Sequence, residues 1–223
     1  MNSRSMMAAV LRRYLSLAPL QVVALLVGLG WLVLFNLQAF RYVVTESQRT
    51  RERVDAMWSI VVMPKAHRGT VSRKQAIEYL HEQGQSLQRV DLQGASLMGM
   101  DLPGANLRMA VLTNAALEKA NLRSADLWRA SLSGAALSGA TLRNSRLKGA
   151  NLARARLDNA DLRGGDLAQT NLTQANLTGA DLRGAKVTAA QLATACGDPQ
   201  IPPQIDNTAR PPAPWPRPCA ENR

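Results

Sequence analysis

Carboxylate and amide side chains recur at a fixed interval through the second half of the chain. Asp101, Asn106, Asn121 and Asp126 each come directly before a leucine. Two carboxylates held close together can perform general acid–base catalysis. Here a five-residue repeat sets the interval, so we interpret these residues as groups that form hydrogen bonds within turns or that contact solvent at the surface.

Other residues that could do chemistry are few. The chain has two histidines, His67 in a turn-like stretch and His81 on a predicted short helix, and we interpret both as surface or interface residues. Two Cys and two His are too few for a zinc cluster. We also find no nucleophile–base pair, no phosphate-binding loop and no spacing of metal ligands. The sequence therefore predicts a non-enzymatic protein that uses no cofactor or metal.

Composition indicates an unusual core and a basic surface. Hydrophobic residues make up 46% of the 223 residues, but aromatic residues only 4%. A core of this kind is built from leucine and alanine in a regular arrangement. The formal net charge of +11 indicates an acidic partner or an anionic membrane surface.

The five-residue interval extends over 86–195. Leucine recurs at every fifth position from Leu87 to Leu182 and again at Leu192, with Val187 as the only exception, which makes 22 pentads without an insertion. The residue two before each leucine is usually small, most often Ala. A period of five fits neither the turn of a helix nor the alternation of a flat strand. A fixed-period array of this kind predicts a solenoid.

Individual pentads match a known repeat pattern. The segments 105–109 (ANLRM) and 180–184 (ADLRG) fit Ala-(Asp/Asn)-Leu-x-x, and the chain resembles the pentapeptide-repeat family over about half of its length. The resemblance implies an all-β solenoid, a right-handed quadrilateral β-helix with one pentad per side and about twenty residues per coil. The order of parts also resembles that of membrane-anchored bacterial members of the family.

The N-terminal part contains an apolar stretch. Residues 1–13 are basic, and the 21 residues from Leu15 to Phe35 carry no charge, so as a helix they would span about 31 Å and could cross a bilayer. We therefore expect a transmembrane helix at 14–42 that anchors the chain in the bacterial inner membrane by a single pass. A buried soluble helix and a cleaved signal peptide are the alternatives, although no good Ala-x-Ala end follows the apolar run.

The orientation of such a span does not follow from its flanks. Three basic side chains precede it and four follow it, so the positive-inside rule gives nearly a tie. We expect the repeat domain in the periplasm.

Residues 43–85 are expected to form a helical linker and N-terminal cap made of two short helices. Thr45 with Gln48, and Ser72 with Gln75, have the spacing of a capping box. In this motif the two side chains satisfy free N–H groups at the start of a helix.

A coil of about twenty residues places every fourth pentad on the same side of the β-helix. One side then carries a ladder of arginines with steps of about 4.8 Å: Arg123, Arg143, Arg163 and Arg183. The neighbouring side adds Arg108, Trp128, Arg129, Arg146 and Lys148. These nine residues are the candidate binding surface, with Trp128 as an aromatic anchor. In the alternative interpretation, the arginines only keep the protein soluble.

The C-terminal segment 196–223 is expected to be an extended strap or a disordered tail. Residues 197–223 hold eight of the eleven prolines, which excludes the interior of a sheet. A disulfide between Cys196 and Cys219 would strap this segment over the last coil and hide its open strand edge. Such a bond implies an oxidising compartment. Two unrelated thiols are the alternative.

Together these features predict a scaffold. We expect a membrane-tethered module, held by 14–42, that presents a rigid β-helical surface to a protein partner. Binding of an anionic ligand, a lipid head group or nucleic acid, through the arginine ladder is the alternative. A topoisomerase-protecting DNA mimic, a role that the family resemblance implies, needs an acidic solenoid and is therefore disfavoured. The interspersed Asp residues also argue against nucleic acid.

Overall fold

The computed structural model describes residues 19–62, 72–206 and 217–219. It contains three helices in these ranges: α1 (Pro19–Val62), α2 (Arg73–Glu82) and α3 (Ala189–Ala193). The chain divides into two compact units, Met1–Arg53 and Val54–Arg223, and the second holds the repeats.

Helix α1 corrects the prediction of a single-pass inner-membrane protein with periplasmic repeats. Within the described residues, no helix is long and apolar enough to cross a bilayer, so the membrane span at 14–42 and the localisation built on it are wrong. From Pro19 onward the apolar stretch belongs to a 44-residue helix that continues through Arg41, Glu46 and Arg49, whose side chains are exposed. Residues 1–18, which include the basic N-terminus, lie outside the described residues.

The predicted helical pair is present in altered form. No helix starts at Thr45, because this residue lies inside α1 and its hydroxyl donates to the carbonyl of Arg41 at 2.7 Å. The capping box at the start of α2 is present: Ser72 Oγ accepts from the N–H of Gln75, and Gln75 Oε1 accepts from the N–H of Ser72. His81 lies in the last turn of α2, whereas His67 lies outside the described residues.

The repeats form a solenoid with four sides. Parallel β-bridges join residues that are 20 positions apart, except for the last two, Asp181–Gln204 and Cys196–Arg217, which are 23 and 21 apart. Four consecutive bridges complete one coil: Asp91–Val111, Ser96–Ala116, Asp101–Asn121 and Asn106–Asp126. Each described side contributes one isolated bridge and not a strand of several residues. We number the five positions of a pentad from its small residue, so that the leucine is the third.

The first and third positions build the core. Every third-position leucine from Leu87 to Leu182 is at most 1% exposed, and first-position alanines such as Ala120 and Ala140 are fully buried. Burial of one leucine side chain contributes roughly 1.5–3 kcal/mol. The small first position lets four sides converge on a narrow interior, which predicts the absence of aromatic residues from the repeats' core.

Backbone hydrogen bonds use four of the five N–H groups in an interior pentad. The second, third and fifth N–H groups bond to neighbouring coils, and the first closes a turn within its own coil. Examples are Asp126 to Ala105, Leu107 to Asp126, Met109 to Trp128, and Ala110 to Leu107, all at 2.9–3.1 Å. Only the N–H of the fourth residue has no backbone carbonyl as its acceptor.

A second-position Asp or Asn accepts from this remaining N–H. Trp128 N–H donates to Asp126 Oδ1 at 3.1 Å, and Arg123 N–H donates to Asn121 Oδ1 at 3.3 Å. The same bond recurs in eight further pentads, at second positions 91, 106, 151, 161, 166, 171, 176 and 181. These side chains are therefore turn acceptors, as their spacing predicts. Asp101 is an exception, because Pro103 has no N–H, and its Oδ1 accepts from Asn121 Nδ2 at 2.7 Å instead.

The first coil is covered by α2 and by the end of α1 that belongs to the second unit. Asp101 N–H, which has no preceding coil to bond, donates to Glu78 Oε1 at 2.9 Å. Lys74 Nζ donates to the carbonyls of Met98 and Gly99 at 3.1 and 2.9 Å. Val61 is buried in the same core as the leucines.

The last coil departs from the predicted run of pentads. Residues 189–193 form α3 in place of a coil side, with a capping box between Thr188 and Gln191. Gln191 Nε2 also donates to the carbonyls of Leu167 and Thr170. Leu192 nevertheless stays buried, so the repeat's core position survives the change of backbone.

Candidate functional site

The arginine ladder divides into two halves with different chemistry. In the upper half, Arg163 makes a bidentate pair with Asp161, with Nε 2.8 Å from Oδ1 and Nη2 2.6 Å from Oδ2. Arg183 pairs in the same way with Asp181, at 2.9 and 2.6 Å. Bidentate pairs of this kind are among the strongest charge-assisted contacts of arginine.

These pairs change how the carboxylates titrate. The hydrogen bonds from the Arg163 side chain lower the pKa of Asp161, and those from Arg183 lower the pKa of Asp181. The same hydrogen bonds raise the pKa of both arginines. Both pairs therefore stay ionised at neutral pH, with the positive charge largely matched.

In the lower half the arginines have no such partner. Arg123 and Arg143 are exposed, and the second positions of their pentads hold Asn121 and Thr141, which carry no charge. Neither guanidinium makes an ion pair within the part of the chain that the structure describes. The lower half therefore keeps its positive charge available to another molecule.

Two guanidinium groups lie over the indole of Trp128 on the neighbouring side. The Cζ atoms of Arg108 and Arg129 lie 4.4 and 4.5 Å from the indole centroid, within the range of cation–π contacts. Asp126 Oδ2 accepts from Arg108 Nη1 at 3.1 Å and lies 3.3 Å from Arg146 Nη1. We call Arg108, Asp126, Trp128, Arg129 and Arg146 the Trp128 cluster.

The structure thus brings together four of the nine predicted surface residues in this cluster. Lys148 is exposed at the equivalent position one coil after Trp128. Arg163 and Arg183, predicted to face a ligand, are occupied by their own carboxylates. The sequence contains the signal for this difference, since the pentads read Asp-Leu-Arg at 161–163 and 181–183.

The cysteines form a disulfide in the structure. Cys196 and Cys219 are bonded, with their Cα atoms 4.8 Å apart. The bond holds Arg217 beside the last coil, where the Arg217 carbonyl accepts from Gly197 N–H at 2.8 Å. Within the described residues there is no group of three or more His, Cys, Asp or Glu side chains that could hold a metal ion.

Comparisons with known proteins identify the repeats. The family model for pentapeptide repeats matches eight copies, in the segments 91–129, 110–149 and 150–189. No curated protein sequence matches significantly.

Solved structures of the same kind are similar to this chain. A pentapeptide-repeat protein from the cyanobacterium Cyanothece 51142, Rfr23, is 30% identical over 51% of this chain and 65% of its own, just under two thirds, with a TM-score of 0.30. The protein alr5209 from Nostoc PCC 7120 is 28% identical over 57% of this chain and 90% of its own, with a TM-score of 0.35. QnrB1, a plasmid-mediated fluoroquinolone resistance protein, is 20% identical over 54% of this chain and 67% of its own, with a TM-score of 0.32.

The matched segments coincide with the coils that the β-bridges define, and the repeated Leu and Asp/Asn positions are those that build the core and close the turns. Residues 91–189 of this chain are therefore pentapeptide repeats, a pattern that implies a right-handed quadrilateral β-helix.

Proposed function

We propose that this chain is a non-enzymatic protein-interaction module that presents a rigid β-helical surface to a partner. One observation carries the proposal. The first and third side chains of the pentads are buried in the core, and the backbone N–H groups are used in turns and between coils. Only the second, fourth and fifth side chains remain for contact with another molecule, and they are held in fixed columns.

The distribution of charge favours two of the four sides. Residues 86–195 contain thirteen basic and eight acidic residues. The two sides that hold the arginine ladder and the Trp128 cluster carry ten of the basic and five of the acidic ones. The other two sides carry three of each, so the net positive charge of the repeats lies on one flank of the solenoid.

A second candidate function is the binding of an anionic ligand, such as a lipid head group or nucleic acid, by this flank. The exposed Arg123 and Arg143 favour it. The carboxylates of Asp126, Asp161 and Asp181 on the same flank oppose it, because they repel a continuous polyanion. Mimicry of DNA would need an acidic surface, which this flank does not offer.

Site-specific photo-cross-linking tests the first proposal. The photoreactive residue p-benzoylphenylalanine is placed at Lys148, and in a matched control at Thr173, an exposed fourth position on another side. We expect a protein adduct from position 148 that an excess of unmodified chain suppresses, and none from 173. Equal adducts from both positions would contradict a binding flank, and adducts only with nucleic acid or lipid would favour the second function.

A further inference from the structure

We propose that the docking surface consists of the lower half of the ladder and the Trp128 cluster, and that it binds an acidic, Asp- or Glu-bearing segment of another protein. The upper half, Arg163 and Arg183, takes no part. This inference rests on the proposed function as an interaction module and specifies its site and the chemistry of its partner.

The lower half offers two exposed guanidinium groups on successive coils. Arg123 and Arg143 occupy the same pentad position, and adjacent coils are about 4.8 Å apart. Two carboxylates at a similar separation on a partner could therefore each receive a charge-assisted hydrogen bond. Lys148 extends the positive surface around the corner to the neighbouring side.

The upper half is closed by its own carboxylates. Both the Nε and the Nη2 of Arg163 donate to Asp161, and the Nε also lies 3.5 Å from Asp181 Oδ2. Arg183 is held by Asp181 in the same bidentate way. An incoming carboxylate would have to displace an existing pair and would meet like charge.

The Trp128 cluster is organised before any partner arrives. Asp126 pairs with Arg108 and Arg146, and the guanidinium groups of Arg108 and Arg129 both lie over the indole of Trp128. Side chains that are already ordered lose less conformational entropy on binding. Trp and Arg are also the residue types most often found at the energetic centre of protein interfaces.

The dimensions of the surface favour an acidic protein segment over nucleic acid. The open arginines span a single step between coils, and Asp126 lies within the surface while Asp161 borders it. A duplex carries one charge per about 1.7 Å and would extend over these carboxylates and the closed upper half. A short acidic segment can place its charges on the open arginines alone.

The test compares two variants of the full chain that change the formal charge equally. Arg123→Gln/Arg143→Gln removes the open arginines, and Arg163→Gln/Arg183→Gln removes the closed ones from the same column. The probe is a fluorescein-labelled hexaglutamate peptide, and binding is measured by fluorescence anisotropy at low ionic strength. We expect the first variant to lose at least about tenfold in affinity. The second variant should lose clearly less, because it removes no contact with the peptide and adds only repulsion from the carboxylates of Asp161 and Asp181.

A gain-of-function variant completes the test. Asp161→Asn/Asp181→Asn frees the two closed arginines, and the amide can still accept the turn hydrogen bond, so we expect tighter binding of the peptide. Thermal unfolding verifies that each variant keeps its fold. Three outcomes would overturn the inference. The first is an equal loss of affinity in both arginine variants, and the second is no binding of the peptide. The third is tighter binding of oligo(dT) or phosphatidylserine vesicles that depends on the arginines to the same extent. If the arginine variants lost affinity equally, or if the peptide did not bind, a protein adduct from position 148 would still support an interaction module whose partner has a different chemistry.

Discussion

The second position of the pentad links the fold to the surface through a single side chain. Asp161 Oδ1 accepts from both the backbone N–H and the Nε of Arg163, and its Oδ2 accepts from Nη2. Asn121 accepts only the backbone N–H of Arg123. Both residues close the turn equally well, but only the carboxylate also neutralises the neighbouring arginine.

This difference predicts a dependence of stability on pH. Because the folded pKa of Asp161 and of Asp181 lies below the ordinary value of 3.8, their ionised forms stabilise the fold above that value. The contribution is lost as the pH falls from 3.8 through the lowered folded pKa. Melting temperatures measured at successive pH values should therefore converge for the wild type and Asp161→Asn/Asp181→Asn at the acid end. A constant difference at all pH values would exclude the ion pairs as its source.

Among the described side chains of the core, Ser145 has the one buried hydroxyl that makes no hydrogen bond. It occupies a first position, is 1% exposed, and its Oγ has no hydrogen-bond partner. Most first positions hold Ala instead. Because an unsatisfied buried polar group costs about 1–3 kcal/mol, Ser145→Ala should raise the free energy of unfolding by about 1 kcal/mol in urea denaturation.

Thr170 supplies the control for this substitution. It is 3% exposed, but its Oγ1 donates to the carbonyl of Leu147 at 2.9 Å. The nearly isosteric Thr170→Val should therefore lower the free energy of unfolding by about 1 kcal/mol. If both substitutions shifted stability in the same direction, hydrogen-bond satisfaction would not be the controlling factor.

At the scale of elements, α2 replaces a missing coil with side chains. The carboxylate of Glu78 takes the place of the carbonyl that would accept from Asp101 N–H, and the ammonium of Lys74 takes the place of the N–H that would donate to the carbonyl of Met98. The same ammonium also donates to the carbonyl of Gly99. The two side chains are 3.8 Å apart and support each other. The side of the first coil that holds Asp101 is therefore not left with an open strand edge, which would invite aggregation.

Removal of this acceptor should destabilise the first coil. Glu78→Ala leaves Asp101 N–H without a partner, which costs about 1–3 kcal/mol. Glu78→Gln keeps an acceptor oxygen and should retain most of the stability. Glu82→Ala, on the exposed part of the same helix, should change the free energy of unfolding by less than about 0.5 kcal/mol. Urea denaturation of the three variants distinguishes the lost acceptor from a general effect on α2.

The coils could be predicted from sequence because their signal is strictly periodic. A buried leucine and a turn-closing Asp or Asn are needed in each pentad, so each appears in the sequence at its interval. Helix α3 was missed because Leu192 kept the period while the backbone changed, although Thr188 and Gln191 have the spacing of a capping box. The same spacing at Thr45 predicted a helix start that α1 does not contain, so the motif alone does not fix a boundary.

The site was only partly predictable. The columns of the ladder follow from the repeat length, and the Asp-Leu-Arg pentads indicate which arginines are paired. The contacts of Arg108 and Arg129 with the indole of Trp128 depend on side-chain rotamers, for which the sequence has no periodic signal. The length of α1 was not predictable either, because its polar residues after the apolar stretch carry no signal for where the helix ends.

At the scale of the whole domain, the disulfide stabilises the end opposite α2. It closes a loop with a sequence separation of 23 residues, for which the chain-entropy model gives about 3 kcal/mol. Cys196→Ser/Cys219→Ser should therefore lower the melting temperature, and dithiothreitol should lower that of the wild type to a similar value. The reductant should leave the double variant unchanged. An unaltered melting temperature in the reduced wild type would show that the bond does not constrain the end.

From Asp91 to Cys196 the regular coils have a constant interval of 20 residues between bridged positions, so this part of the domain has a length that is set by its number of coils. Deletion of 151–170, twenty residues, would join equivalent positions and bring the Trp128 cluster about 4.8 Å closer to Cys196 without rotating it about the axis. Deletion of a single pentad would instead turn every later column by one side. The distance between two residues of one column can therefore change only by the height of a whole coil if the columns are to be kept. A partner that contacts two points on one flank would meet a separation that varies only in steps of one coil.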